Sequence, residues 1–390
     1  MNRKQFVLLL VAVLVIGAAG LLVRQRSHES WHGSGAAQGQ KLLPDLPLND
    51  IAQITIKSGP DQVELARENN LWRVKERNNY PANFSQISEM LMKFADLKVV
   101  QTEEIGPSQM GRFDLLPPGA ATNTATAIEF RDQNAKSVGS LLLGKKHMKK
   151  EAASAQLQGL GDGGWPDGRY VMTSSGTKAV VLISDPLDTV QAKPDQWLSK
   201  DFLNVENPSA IAVRFPEATN SWKLTRATPT NDWQLADAKP AEKLDSSKIS
   251  SVTSPLSSAS FNDVAPLAPG GVSSSNTLLT IHTFDGFDYV ANIEPKKDDN
   301  YPVSFAITAA LPATRTPAPD EKAGDKAKLD KDFQTHQKTL ADKLAKEQAF
   351  TNWVYQMPSY SLDEILKTRS QLLEEPSTNS TATAAAASGK

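Results

Sequence analysis

Residues 51–74 read "IAQITIKSGPDQVELARENNLWRV". Apolar and polar residues alternate in "AQITIKS", "QVELAR" and "LWRVK", the period-two pattern of strands with one buried face. "SGPDQ" and "ENN" place turn residues between these runs. Strands so close in sequence are expected to pair as an antiparallel meander. "NFSQIS" (83–88) then opens a helix, with Asn83 or Ser85 as N-cap and Ile87, Met90, Leu91 and Phe94 as its apolar stripe. Strands are expected again at "TAIEFRD", "SVGSLLLG", "RYVMTS" and "AVVLIS".

The same order of phrases recurs further along the chain. "PSAIAVRF" (208–215) aligns with 51–58, placing Ile211 and Val213 on Ile54 and Ile56. "WKLTR" (222–226) aligns with "VELAR" (63–67), so Leu224 falls on Leu65 and Arg226 on Arg67. Trp233 of "PTNDWQL" (229–235) falls on Trp72 of "ENNLWRV" (68–74). "DSSKIS" (245–250), "PLAPG" (266–270) and "LTIHTFD" (279–285) follow, against "NFSQIS", "LLPPG" (115–119) and "AIEFRD" (127–132). Ordered matches of this kind argue for an internal duplication. The fold expected is α+β: two tandem, internally duplicated modules of mostly antiparallel sheet with a covering helix, plus an N-terminal transmembrane helix. Trp72 and Trp233 are assigned as anchors of the two equivalent cores.

The totals agree with two modules. The chain has 390 residues, 39% hydrophobic and 22% charged, enough apolar material for real cores. Its net charge of −2 provides no basic field for nucleic acid. With no cysteine, disulfides, thiolate zinc sites and a cysteine nucleophile are excluded, as is a lipoprotein's acylated cysteine.

Residues 6–23, "FVLLLVAVLVIGAAGLLV", carry no charge and lie between Arg3–Lys4 and Arg24–Arg26. As a helix this run is about 27 Å long, close to the roughly 30 Å of a bilayer's hydrocarbon. The small residues Gly17–Gly20 are followed by Leu21, Leu22 and Val23, so the apolar run passes any cleavage site and reads as an uncleaved anchor rather than a signal peptide. The expected organisation is a cytoplasmic N-terminus (1–5), an anchor in membrane lipid (6–23), a flexible tether (24–40), a first repeat (41–200) and a second (201–313). A helix–strand–helix extension (314–374) and a disordered tail (375–390) complete it. In the extension, Leu329, Phe333, Leu340 and Leu344 form a narrow stripe on a helix over roughly 325–348, "FTNWVYQMP" (350–358) reads as a strand, and Ser361 with Glu364 forms a capping box for a helix over "LDEILKTRSQLLEE".

Strings that imitate functional motifs lack the context those motifs need. "GLGDGG" (159–164) fits G-x-G-x-x-G, but a polar loop precedes it and "WPDGRY" follows, so no helix N-terminus would face a phosphate. "SGTK" (175–178) fits S-x-x-K but joins two expected strands and reads as a hairpin turn. His147 sits in "KKHMKK" (145–150), read as a solvated basic loop, and His282 alternates with apolar neighbours on a strand. No metal-ligand spacing appears, and no cofactor is expected.

Several ordered motifs are similar to those of the bacterial family catalogued as domain of unknown function 4340. They are "GQKLLPDLPLNDIAQITIK" (39–57), "NLWRV", "GRFDLLPP" (111–118), "GRYVM" (168–172), "QWLSKDFL" (196–203) and "WVYQMPSYSLDEILKTRSQLL" (353–373). The resemblance implies a single-pass membrane protein of a kind often encoded beside ABC-type permease and gliding-motility-type auxiliary subunits, hence an accessory role in an envelope transport assembly, and it implies no catalytic residues. The reading that follows is a non-enzymatic accessory or scaffold protein at the bacterial inner membrane, with the bulk of the chain on the periplasmic side. The alternative is an envelope hydrolase or ligand-binding protein with a site between the two repeats, for which Arg169, Tyr170, Trp353 and Tyr355 are the candidate pocket residues.

Overall fold

The computed structural model describes residues 38–375, apart from 120–121, 150–164, 174–178, 241, 269–272, 318–320 and 323. The anchor, most of the tether, the tail and both imitation motifs lie outside the described residues. Among the described residues no helix is long and apolar enough to cross a membrane. The chain is mixed α+β, with two antiparallel sheets and few helices, and it divides at Ser199/Lys200 into two compact units.

In unit 1 the opening stretch forms β1 (Gln53–Ser58), β2 (Asp61–Glu68) and β3 (Leu71–Val74), followed by the short β4 (Tyr80–Pro81). Helix α1 (Phe84–Asp96) follows, then β5 (Val99–Glu104), β6 (Thr126–Arg131), β7 (Ser137–Met148), β8 (Pro166–Thr173) and β9 (Ala179–Ile183). The sheet order is β4-β3-β2-β1-β6-β7-β8-β9-β5. Ile54 lies between Leu65 and Phe130, and Ile56 between Val63 and Ile128, so period-two alternation places all six on one buried face. Helix α1 covers that face. Asn83 caps it by accepting from the Gln86 amide at 3.1 Å, Ile87, Met90, Leu91 and Phe94 are buried, and the Phe94 ring meets Phe130 edge-on at 5.3 Å. A smaller second core holds Phe113, Leu115, Ala125 and Val180, with Leu142, Tyr170 and Met172 against it.

Unit 2 contains β10 (Pro208–Arg214), β11 (Trp222–Thr225), β12 (Gln234–Leu235), the one-turn α2 (Ser246–Ile249) and β13 (Asp263–Pro266). Then come β14 (Thr277–Thr283), β15 (Phe287–Ile293), β16 (Asn300–Ala309), α3 (Lys326–Gln348), β17 (Trp353–Pro358) and the one-turn α4 (Ser359–Leu362). The sheet order, β12-β11-β10-β14-β15-β16-β17-β13, repeats that of unit 1 strand for strand apart from β4. Register repeats too: Ile211 lies between Leu224 and Ile281, and Val213 between Trp222 and Leu279, as Ile54 and Ile56 lie in unit 1. The Arg67 amide donates to Ala52 O and the Arg226 amide to Ser209 O at matched positions. Helix α2 is short, yet Asp245 caps it through the Ser247 and Lys248 amides, and Ile249, Val252 and Leu256 are buried where Ile87, Met90 and Phe94 are in unit 1.

Each sheet is closed by a strap that follows its β9 or β17 strand. In unit 1 the strap runs through buried Leu187 and Val190 to a 3-10 turn, Pro194–Trp197, with Trp197 fully buried. In unit 2 it runs through buried Leu362 and Ile365 to a 3-10 turn, Arg369–Leu372, with Leu372 fully buried. Both straps end on the N-cap of the covering helix. Asn83 N donates to Trp197 O at 2.8 Å, and Asp245 N donates to Leu372 O at 3.0 Å. Ala82 bridges Leu198, and Leu244 bridges Leu373.

Four sequence expectations change. Residues 314–374 are not an appended extension: β17 completes the second sheet between β16 and β13, and residues 359–373 are the second strap. Helix α3 is therefore an insertion between β16 and β17. No continuous helix runs over 361–374, where α4 stops at Leu362 and a 3-10 turn spans Arg369–Leu372, and Ser361 Oγ donates to Pro358 O instead of capping a helix. Trp233 is half-exposed and stacks beneath the Arg226 guanidinium at 4.7 Å, while Trp222 and Leu235 fill the core beside it and Trp72 is buried as expected. "LLPPG" and "PLAPG" are not equivalent, because Pro266 pairs with Trp353 in β13 whereas Leu115 belongs to the second core of unit 1.

Candidate functional site

The four candidate pocket residues separate by unit and by environment. Tyr355 is fully buried on the inner face of β17, its ring 4.5 Å from Phe202, 5.0 Å from Phe261 and 5.9 Å from Phe305. It is a core aromatic. Trp353 starts the same strand, half-buried, opposite Pro266. Tyr170 belongs to the second core of unit 1, its ring edge-on to Phe113 at 4.8 Å, and burial followed by the charge of Glu103 pushes its phenol above the ordinary range. Arg169 alone lines a cavity.

That cavity is open, about 540 Å³, and its wall contains Asp114, Asn123, Thr124 and, from β7 and β8, Gly144, Lys145, Lys146 and Arg169. A bulge builds it. Leu143 pairs with Val171 and Lys146 with Arg169, so β7 carries one extra residue against β8. The bulge leaves the Gly144 carbonyl outside the ladder, and Arg169 Nε donates to it at 2.8 Å. Glycine is required there, since a Cβ on residue 144 would stand 2.2 Å from Phe113 O. Arg169 Nη1 reaches Pro186 O at 3.4 Å and Leu187 O at 3.5 Å, tying β8 to the strap. The described part of "KKHMKK" is solvated as expected but is not a loop: Lys145 to Met148 form the end of β7, and the exposed Lys145 and Lys146 line the cavity.

The matched place in unit 2 shows which contacts belong to the architecture. Lys146 pairs with Asp188 of the first strap, and Lys296 lies 3.8 Å from Asp363 of the second. By register, Arg169 on β8 corresponds to Tyr301 on β16: each stands two residues before the valine paired with Leu143 or Ile293. Tyr301 Oη donates to Asp363 Oδ1 at 2.7 Å, and burial, with that hydrogen bond, pushes its pKa up to about 12. A lysine–aspartate pair fastening strap to sheet is thus common to both units. The third member differs: a neutral phenol satisfies Asp363, whereas a guanidinium lies beside the pair in unit 1 and bonds only carbonyls among the described residues.

Other polar constellations hold structure. His147 Nδ1 lies 2.6 Å from Asp167 across β7 and β8, and this contact holds the Asp167 carboxyl below its usual range. His282 pairs with Asp288 in the same way across β14 and β15. Glu347, near the end of α3, is buried and accepts from Tyr289 Oη at 2.7 Å; burial raises its carboxyl above the ordinary range. Arg369 is buried in the second strap and forms a bidentate pair with Glu242, which its hydrogen bonds hold down at about 2, while also meeting Asp237. Among the described residues no group of three or more metal-ligating side chains converges. Sequence reasoning missed this lysine–aspartate clasp because its members come from a strand and a strap far apart in the chain; its trace in the sequence is the Leu-Asp that both straps carry, at Leu187–Asp188 and Leu362–Asp363.

The family described as Domain of unknown function (DUF4340) matches residues 72–278, from β3 through β14 and across the boundary between the units. The chain belongs to this family. Its DUF4340 segment contains the bulge, the clasp lysine and Arg169, together with the first strap. No curated relative and no solved structure matches the chain.

Proposed function

We infer that this DUF4340 chain is a non-catalytic accessory or scaffold protein, anchored in the bacterial inner membrane through residues 6–23, with its duplicated modules on the periplasmic side. The partner is an ABC-type permease or auxiliary membrane subunit, an assignment that rests on the family resemblance. The observation that carries the scaffold reading is the repetition of strand order, register, N-cap and strap in two units whose shared polar contacts all fasten one element to another. Residues kept in that manner stabilise a surface rather than converge on a reacting atom. The uncharged run at 6–23 supports the anchor, and an anchor raises the local concentration of the modules near membrane partners.

The test is affinity purification of the full-length chain from native membranes with mass spectrometry, beside a chain lacking residues 1–26. Permease or ATPase subunits are expected with the full-length chain. Their absence, with and without cross-linking, would sink the accessory reading. Enrichment with both chains would place the contact on the folded modules.

A further inference from the structure

The cation that unit 1 adds at the clasp has no carboxylate of its own. Arg169 is half-buried, and its three hydrogen-bond acceptors are the carbonyls of Gly144, Pro186 and Leu187. Those carbonyls orient the guanidinium but do not neutralise it, and Nη2 makes no hydrogen bond among the described residues. Burial lowers the pKa of Arg169, and the opposing influence is Asp188, which Lys146 already pairs. Lys145 adds a second cation to the same wall. Its ammonium stands 6.0 Å over the Phe113 ring and makes no ion pair among the described residues. In the wall itself these three cations face one carboxylate, Asp114; of the strap carboxylates, Asp188 pairs Lys146 and Asp185 accepts from the Leu187 amide, and neither bonds Arg169. A partly desolvated charge without a counter-charge is costly, and an incoming anion relieves that cost.

Unit 2 is the internal reference. There Tyr301 replaces Arg169 and Pro295 stands at the position of Lys145, leaving Lys296 and Asp363 balanced. The strap of unit 2 is fastened without them, through Asp363 and through Leu372 O, so closing the sheet does not require the extra cations. We propose that the open cavity beside Gly144 in unit 1 binds a small soluble oxyanion, a carboxylate or a phosphate, on the free edge of the Arg169 guanidinium, with Lys145 as second cation and Asn123 and Thr124 as neutral donors. Guanidinium has the planar fork that suits either group. The volume of about 540 Å³ suits a solute of ordinary metabolite size. The site lies within unit 1 and does not depend on the anchor or on any transport partner.

The experiment is isothermal titration of the full-length chain in mild detergent at low ionic strength, with inorganic phosphate and separately with succinate. Saturable one-site binding of at least one probe is expected, and the probe that binds identifies the class. Arg169→Tyr should weaken it about tenfold or more, and Lys145→Ala several-fold. If neither probe saturates, or if Arg169→Tyr binds as tightly as the unaltered chain, the proposal is overturned. Should Arg169→Tyr fail to fold, Lys145→Ala decides: its ammonium holds no described backbone group, so unchanged affinity there overturns the proposal.

Discussion

Replacing Trp197 by alanine tests whether the strap holds the first unit closed. The indole is fully buried, and its Nε1 donates to Gln191 O at 2.8 Å. On either side, Asn83 N donates to Trp197 O, and Ser199 N donates to Pro81 O at 2.9 Å. Removing the ring leaves a cavity that the 3-10 turn has no means of filling, which for a buried tryptophan costs about 3–5 kcal/mol. That is a large share of the roughly 5–15 kcal/mol by which a domain is stable. For a unit of this size it lowers the melting temperature by about 6–20 °C. The local consequence is more specific. With the ring gone the turn loosens, its carbonyl leaves the Asn83 amide, and the first turn of α1 loses its cap. Calorimetry of the full-length chain reads the global effect, and hydrogen exchange of the Gln86 and Ile87 amides reads the local one. Trp197→Leu, which places in unit 1 the side-chain type that unit 2 carries at residue 372, should lose about half as much. A cost below about 1 kcal/mol, or α1 amides exchanging no faster relative to Ser246–Ile249, would refute the view that the strap pins the helix cap.

Three further perturbations probe single contacts. Asn83→Ala removes the acceptor for the Gln86 amide and should cost about 1 kcal/mol by urea unfolding; a neutral result would mean that the strap carbonyl alone fixes the helix start. Glu347→Gln keeps an acceptor for Tyr289 Oη but removes a carboxyl whose folded pKa is raised by burial. The native carboxyl contributes stability below its unfolded value of 4.5, and that contribution is lost as pH rises through the folded value. The variant should therefore gain on the unaltered chain between pH 4 and pH 8, and an equal difference at both ends would contradict the assigned burial. For Arg369→Met the sign is opposite: Glu242 is depressed from 4.5 to about 2, so its pairing contributes above pH 4.5 and is lost as pH falls through about 2. The variant should be less stable at pH 7 yet lose less on acidification, as circular dichroism along a pH series would show.

The meander was legible because each strand buries one face, which writes period two into the sequence. Helix α1 was legible because Asn83 and a four-residue apolar stripe are local signals. The second sheet was harder. Strand β16 alternates Val303, Phe305 and Ile307 inward, but Pro302 interrupts the pattern at its start. The long insertion carrying α3 then separated β17 from its partner, so a core strand read as part of an appendage. Trp233 misled for a different reason. Sequence alignment matches chain position, whereas burial depends on what lies opposite, and here Trp222 already occupies the interior while Arg226 offers a cation to the outward ring. The N-cap carbonyl contacts were invisible because they join backbone groups more than a hundred residues apart.

Comparing the copies separates the demands of the fold from what each unit has added. Where both units keep a feature, as with the buried Leu187 and Leu362 or the Lys146 and Lys296 pairs, a shared physical requirement explains it: a sheet with one apolar face needs a cover, and the cover needs fastening. Where they differ, that requirement is silent. Unit 2 has spent its difference on α3, whose buried Glu347 is costly to keep ionised and whose N-terminal half, including Leu329, remains exposed. Unit 1 has spent its own on Arg169 and Lys145, charges that the same clasp does without in unit 2. A half-buried cation without a carboxylate of its own, as Arg169 is, opposes stability, so its presence is better explained by something it holds than by anything it supports. The two units are therefore alike in how they close and unlike in what they present. That inequality predicts that binding experiments will resolve two different surfaces on one chain, rather than two copies of one.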